Sequence, residues 1–274
     1  MNLHPWHENK PPAIRHEPVS VAFVGRDPSQ PVADMLRPWS EFFRAHHPRH
    51  ELLLFDDGAT LGESQVASVP AVRVIHHPRP LGIGGALQTA ILAAQHPLLL
   101  IVRVDRRFDP AQAYRLFNSI DHGDLIVGHR IVGRVPYALR ATDGVRSWMS
   151  RVFLGNFLEP RSSWLGWSAW RREGAYRWIF GVPISDAESG IFLARRAVFD
   201  RIPIQSNSAF SFVEAIAKAN HLGAMLGEEP IRWAPADAEA PPSAPGEKRT
   251  LFGHPLFRTA QAHDLPSKQP ATEK

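Results

Sequence analysis

Several acids and arginines of this chain stand where they could handle phosphate or a hydroxyl. Asp56 and Asp57 close the apolar run Leu52-Leu-Leu-Phe55 and precede Gly58. Asp105 closes a second run, 98–104, which carries Arg103 and continues into Arg106 and Arg107. Arg130 follows the short run 124–128, and Asp186 stands just ahead of Ser189-Gly190. Carboxylates bind hard cations, and guanidinium groups hold phosphate through paired hydrogen bonds. The same residues have plainer uses. Alternation along a strand puts Arg103 and Asp105 on one side, where they would also make a structural ion pair. Asp186 would serve equally as a turn or helix cap. Arg130 would serve as a solvated or carboxylate-paired arginine.

The elements that must position these residues can be read from the apolar pattern. Short apolar runs cut off by turn residues predict strands over 19–24, 51–55, 72–75, 98–104 and 124–128, the one over 51–55 buried. Asp56 and Asp57 then lie at a strand's carboxyl end, where an open α/β sheet binds its ligand. A further strand is expected after Ser189, and a last one over 228–233 is expected at a sheet edge because of Pro230. Val32, Met35, Leu36, Trp39, Phe42 and Phe43 recur at helical spacing, with Pro38 among them. Leu87, Ala90, Ile91 and Ala94 form a second helical stripe behind the glycine-rich Leu81-Gly-Ile-Gly-Gly-Ala86. Those glycines would let backbone N–H groups approach an anion, or let the helix pack closely on the sheet. Asp109-Pro110 predicts a helix start, with Ala113, Leu116, Phe117 and Ile120 facing inward. Ser206-Asn-Ser-Ala would cap a helix over 209–222 that carries Glu214 and Lys218 as an i,i+4 pair, with Gly223 after it. Strands alternating with helices predict an α/β fold, a single mostly parallel mixed sheet flanked by helices.

Of the 274 residues 44% are hydrophobic, enough for one large core. One domain over 18–235 is expected, between a flexible tail over 1–17 and a Pro/Ala-rich, disordered tail over 236–274. Leu251-Phe252 and Leu256-Phe257 are the points where the second tail would dock. The chain has no cysteine, which excludes disulfides and cysteine-based zinc sites. It has no signal-peptide pattern and no run of roughly 18 apolar residues, so a cytoplasmic protein is expected. His46-His47 and His76-His77 are expected on the surface, without metal-ligand spacing. Residues 130–178 hold nine arginines and five tryptophans against three acids. That composition suits contact with the inner face of a membrane, a core, or an oligomer interface. No nucleic-acid-reading motif accompanies it, so no nucleic-acid partner is expected.

In their order these motifs resemble the family 2 glycosyltransferases of the GT-A (nucleotide-diphospho-sugar transferase) fold. The polyprenyl- and dolichyl-phosphate sugar synthases are the most similar branch. The resemblance spans about 18–233. Val19-Ser-Val-Ala-Phe23 stands at the family's first strand, and Phe55-Asp-Asp-Gly-Ala-Thr60 is similar to its DDGST strand end. Leu81-Gly-Ile-Gly-Gly-Ala86 resembles its glycine-rich helix start. Asp105-Arg-Arg-Phe-Asp-Pro110 matches the second half of its D-A-D-x-Q-x-D-P segment, and Asp186-Ala-Glu-Ser-Gly190 its D-x-x-S-G turn. The resemblance implies transfer of a sugar from a UDP- or GDP-sugar to a phosphate or lipid-phosphate acceptor. It puts Asp57, with Asp56, at the nucleobase and ribose, and Asp105 at a Mg²⁺ or Mn²⁺ site on the diphosphate. It puts Arg130 and Asp186, the expected catalytic pair, at the acceptor.

The departures fall within that site. The first acid of the family's DxD is Arg103, and its glutamine is Arg107. The lysine of the glycine-rich loop is Ile83, and the first-strand signature becomes Val24-Gly-Arg-Asp-Pro28. One carboxylate beside arginines is a poor site for a divalent ion, which needs several oxygen ligands. Arg103, Arg106 and Arg107 could instead neutralise the diphosphate directly. The same substitutions suit a second reading, a degenerate glycosyltransferase fold that acts as a binding or scaffold partner.

Overall fold

The strands expected at the start of the chain form, and they join as one sheet. The structure, a computed structural model, describes residues 17–25, 31–57, 66–131, 180–235, 247 and 253–258. Its strands are β1 Val19–Val24, β2 His50–Asp57, β3 Val72–His77, β4 Leu98–Arg103, β5 Arg106–Phe108, β6 Leu125–Ile131, β7 Ile191–Arg195 and β8 Leu226–Pro235. They lie in the order β3-β2-β1-β4-β7-β6-β8-β5. β1 to β4 run parallel, β7 runs antiparallel to β4 and β6, and β6 pairs parallel with β8. The mostly parallel mixed sheet is therefore present.

The helices are α1 Val32–His46, α2 Gly82–Ala93, α3 Ala113–Ser119 and α4 Ser211–His221. α2 and α4 cover one face of the sheet through Leu87, Ala90, Phe212 and Ile216. α1 and α3 cover the other through Leu36, Trp39, Phe43, Leu116 and Phe117. With both faces covered, every residue of β1 and β4 is buried, which is why these strands read as continuous apolar runs.

Three local readings change. Pro110 begins a 3₁₀ turn, Pro110–Gln112, and α3 follows it; Asp109 caps the turn by accepting from the Ala111 N–H at 3.0 Å. α4 starts at Ser211, later than 209, and the Ser208 hydroxyl accepts from the Phe210 N–H at 3.2 Å. The expected Glu214–Lys218 pair forms, 2.7 Å apart and buried. Burial pushes Lys218 below its ordinary value, against the pull of Glu214. His47 and His77 are buried, at 1% and 4% exposure, not on the surface. The His47 ring packs on Phe43 and Phe117, because α1 ends against α3 there.

The strand that carries Pro230 is not the expected edge strand, since β5 lies beyond it. β8 pairs with β6 along 226–232, whereas β5 covers its other side only at Trp233–Pro235. Leu256 and Phe257 also meet the domain: the Leu256 N–H donates to Gln205 at 2.8 Å, and the Phe257 ring stacks on His221. The arginine- and tryptophan-rich stretch 146–178 lies outside the described residues. So do the tail 1–16, 26–30, 58–65 and 236–246. Among the described residues no helix is long and apolar enough to cross a membrane.

Candidate functional site

The sheet brings the sequence-predicted residues to one end. β1 to β4 and β6 finish there and β7 begins there, so Asp57, Arg103, Arg130 and Ser189-Gly190 share that end. Val24 lies beside Arg103 in register, the Val104 N–H donates to the Val24 carbonyl at 3.0 Å, and the Arg103 N–H to the Gly190 carbonyl at 2.8 Å.

Asp57 ends β2 and caps α2. Its Oδ1 accepts from the Leu81 N–H at 2.6 Å and its Oδ2 from the Gly82 N–H at 2.8 Å. Those are unsatisfied donors at a positive helix terminus, so a carboxylate belongs there. His77, the register partner of Asp57, lies with Nδ1 3.1 Å from Oδ1. The anion expected at the glycine-rich terminus is thus the chain's own Asp57. The glycines have a second task. A Cβ at Gly84 would lie 1.7 Å from the Ser206 carbonyl oxygen, and the Gly84 N–H donates to the Asn207 carbonyl at 3.1 Å. α2 therefore packs backbone to backbone on the segment that leads into α4. Asp56 points the other way, buried, with His76 Nδ1 2.9 Å away.

Arg103 and Asp105 make a two-toothed ion pair. Nε donates to Oδ1 at 2.9 Å and Nη2 to Oδ2, and both residues are 2% exposed. The guanidinium carbon lies 5.8 Å from the centroid of the Phe212 ring. Gly190, at φ +87°, makes room for the arginine stem, since a Cβ there would lie 2.7 Å from Arg103 Cδ. Arg107, on β5, is exposed, and Arg106 is buried.

Arg130 and Asp186 also meet. Asp186 Oδ2 accepts from the Arg130 N–H at 3.0 Å and from Nε at 2.8 Å, and Oδ1 accepts from Nη2 at 2.8 Å. Asp186 is fully buried, whereas the Arg130 side chain is 13% exposed. Glu228, which sequence reasoning missed, fixes this turn from β8. Its Oε1 accepts from the Ser185 N–H at 2.7 Å, the Ser185 hydroxyl at 2.9 Å and the Asp186 N–H at 3.2 Å. The only signal was an acid inside a strand pattern, which gives no partner.

The family model of glycosyl transferase family 2 matches residues 34–202, more than half of the chain. The chain belongs to glycosyl transferase family 2. No curated protein sequence matches it. Among solved structures it is similar to glucosyl-3-phosphoglycerate synthase from Mycobacterium tuberculosis in complex with Mn²⁺, UDP and phosphoglyceric acid. The TM-score is 0.52 and the identity 16%, over 86% of this chain and 74% of that one. It is similar as well to a mycobacterial protein, with TM-score 0.50 and 17% identity over 86% and 71% of the two chains. At these identities the likeness establishes the GT-A fold.

Membership in family 2 raises the question of the divalent ion expected at Asp105. The residues at this strand end do not fit one. Both Asp105 oxygens accept from Arg103, and the guanidinium stands where a second acid would be needed. Among the described residues no group of three His, Asp or Glu side chains could hold a metal.

Proposed function

We propose that the protein transfers a sugar from a nucleotide-diphosphate donor to a phosphate-bearing acceptor, with a polyprenyl-type lipid phosphate as the favoured acceptor. The observation that carries this reading is the shared strand end of a family 2 chain, where Asp57 on β2, the Arg103–Asp105 pair after β4 and the Arg130–Asp186 pair at β6 lie along one end of the sheet. The phosphoglycerate synthase of the same fold, solved with UDP and phosphoglyceric acid, supports both a nucleotide donor and a phosphate-bearing acceptor. An acceptor phosphate oxygen attacks the anomeric carbon, and the nucleoside diphosphate leaves. A phosphate is already ionised, so no strong base is required of Asp186. Asp186 instead holds Arg130 in one orientation, and the partly exposed guanidinium meets the acceptor phosphate. Asp57 shapes the nucleoside side of the site through the α2 terminus.

The test is incubation of purified protein with UDP- and GDP-sugars and either phosphoglycerate or a polyprenyl phosphate in detergent. Products are read by mass spectrometry. A glycosylated acceptor and released nucleoside diphosphate are expected. Absence of product with every donor, in a protein that does bind nucleotide, would favour a second reading, a non-catalytic binding protein. One observation favours that reading: Asp56, Asp57, Asp105 and Asp186 are all engaged by the chain's own groups.

A further inference from the structure

The end of β4 carries three arginines and one aspartate over 103–107, a net charge of +2. Asp105 is buried and directs both oxygens at Arg103, so it offers no open face to another cation. The arginine is held from several sides. Gly190 leaves space for its stem, Phe212 lies over its head, and its N–H is tied to the Gly190 carbonyl at 2.8 Å. A guanidinium so fixed is a cation built into the strand, with no ligand exchange and no dependence on free metal. Replacing the buried carboxylate's charge from within also removes the repulsion that Asp105 would exert on a diphosphate.

We propose that Arg103 is a built-in substitute for the divalent ion of the donor site: it neutralises Asp105, excludes Mn²⁺ and Mg²⁺ from that carboxylate, and leaves the β4–β5 end positive enough to take a nucleoside diphosphate without metal. The identity of the ligand rests on the glycosyltransferase reading. The exclusion of metal does not.

The closing experiment has two readouts. The first is binding of Mn²⁺ alone, followed by electron paramagnetic resonance, in the wild type, Arg103→Asp and Asp105→Asn. Wild type and Asp105→Asn should bind Mn²⁺ equally, and Arg103→Asp should gain a site by exposing a pair of acids. Loss of bound Mn²⁺ on going to Asp105→Asn would overturn the assignment. So would a folded Arg103→Asp that gains no Mn²⁺. If Arg103→Asp does not fold, the comparison of wild type with Asp105→Asn still decides.

The second readout is calorimetric titration with UDP and GDP in EDTA and in Mn²⁺. Affinities within about twofold of each other are expected, and a gain of about tenfold or more in Mn²⁺ would overturn the proposal. Absence of nucleotide binding in both conditions would remove the donor half of the proposal along with the glycosyltransferase reading. The Mn²⁺ readout would then decide what Arg103 does to Asp105.

Discussion

Asp186 is held by three hydrogen bonds from Arg130 and one from its own turn to Glu228, with no exposure to water. Such a carboxylate is stable only while its partner remains. Removing one partner of a buried pair leaves an uncompensated charge and costs about 3–5 kcal/mol. Arg130→Ala is therefore expected to lower stability by that order, read as a fall in the urea midpoint at unchanged slope. Arg130→Lys keeps the charge but loses the fork, so it should recover only part of the loss. A midpoint for Arg130→Ala within error of the wild type would mean that water replaces the arginine and that Asp186 is not buried in solution. Arg103 and Asp105 follow the same logic, with the difference that Phe212 and Gly190 also hold the arginine.

At the scale of elements, α2 is the member that would shape the nucleoside side of the proposed site. Its N-terminus is fixed by Asp57 from β2 and pressed against Ser206 and Asn207 ahead of α4. Glycine is needed at 84 for contact, since that backbone is helical and only the added Cβ meets an obstacle. Gly84→Ala must push α2 away from the 206–207 segment. The expected cost is about 1–3 kcal/mol from overpacking. The displacement should also pull Leu81 and Gly82 from Asp57, so nucleotide affinity should fall together with the melting temperature. A Gly84→Ala protein as stable as the wild type would show that the two segments are not packed so closely.

Across the whole molecule, residues far along the chain pack against the segment 201–221. The 253–258 segment joins the domain through Leu256 to Gln205, Gln205 to the His254 carbonyl, and the Arg258 N–H to the Arg201 carbonyl. Gln205 is in turn bound by Lys218, and its N–H by Glu214. The same stretch continues into Ser206 and Asn207, which contact α2. A chain ending at residue 246 should lose these hydrogen bonds and the packing of Phe257 on His221, about 1–3 kcal/mol in all. Thermal melting of that truncation against the full chain measures it, and an identical melting temperature would reduce 253–258 to an incidental contact.

The sequence by itself determined the helices, the family and every strand but the short β5, because these rest on patterns local in the chain. β1 and β4 are continuous apolar runs, α2 and α3 carry apolar stripes at helical spacing, and the motifs stand in a fixed order. The tertiary structure alone decided what each polar side chain does. Nothing local says that Asp57 will cap α2, that Glu228 will reach the 185–186 turn, or that Asp186 will take Arg130 as its partner. Those pairs are joined across 24 to 56 residues of sequence, and only the order of strands in the sheet makes them neighbours. His47 and His77 were misjudged for the same reason. A histidine at the end of an element looks exposed until the element packed against it is known. Burial is a property of the assembled core, and the periodicity that predicts a helix or strand does not contain it.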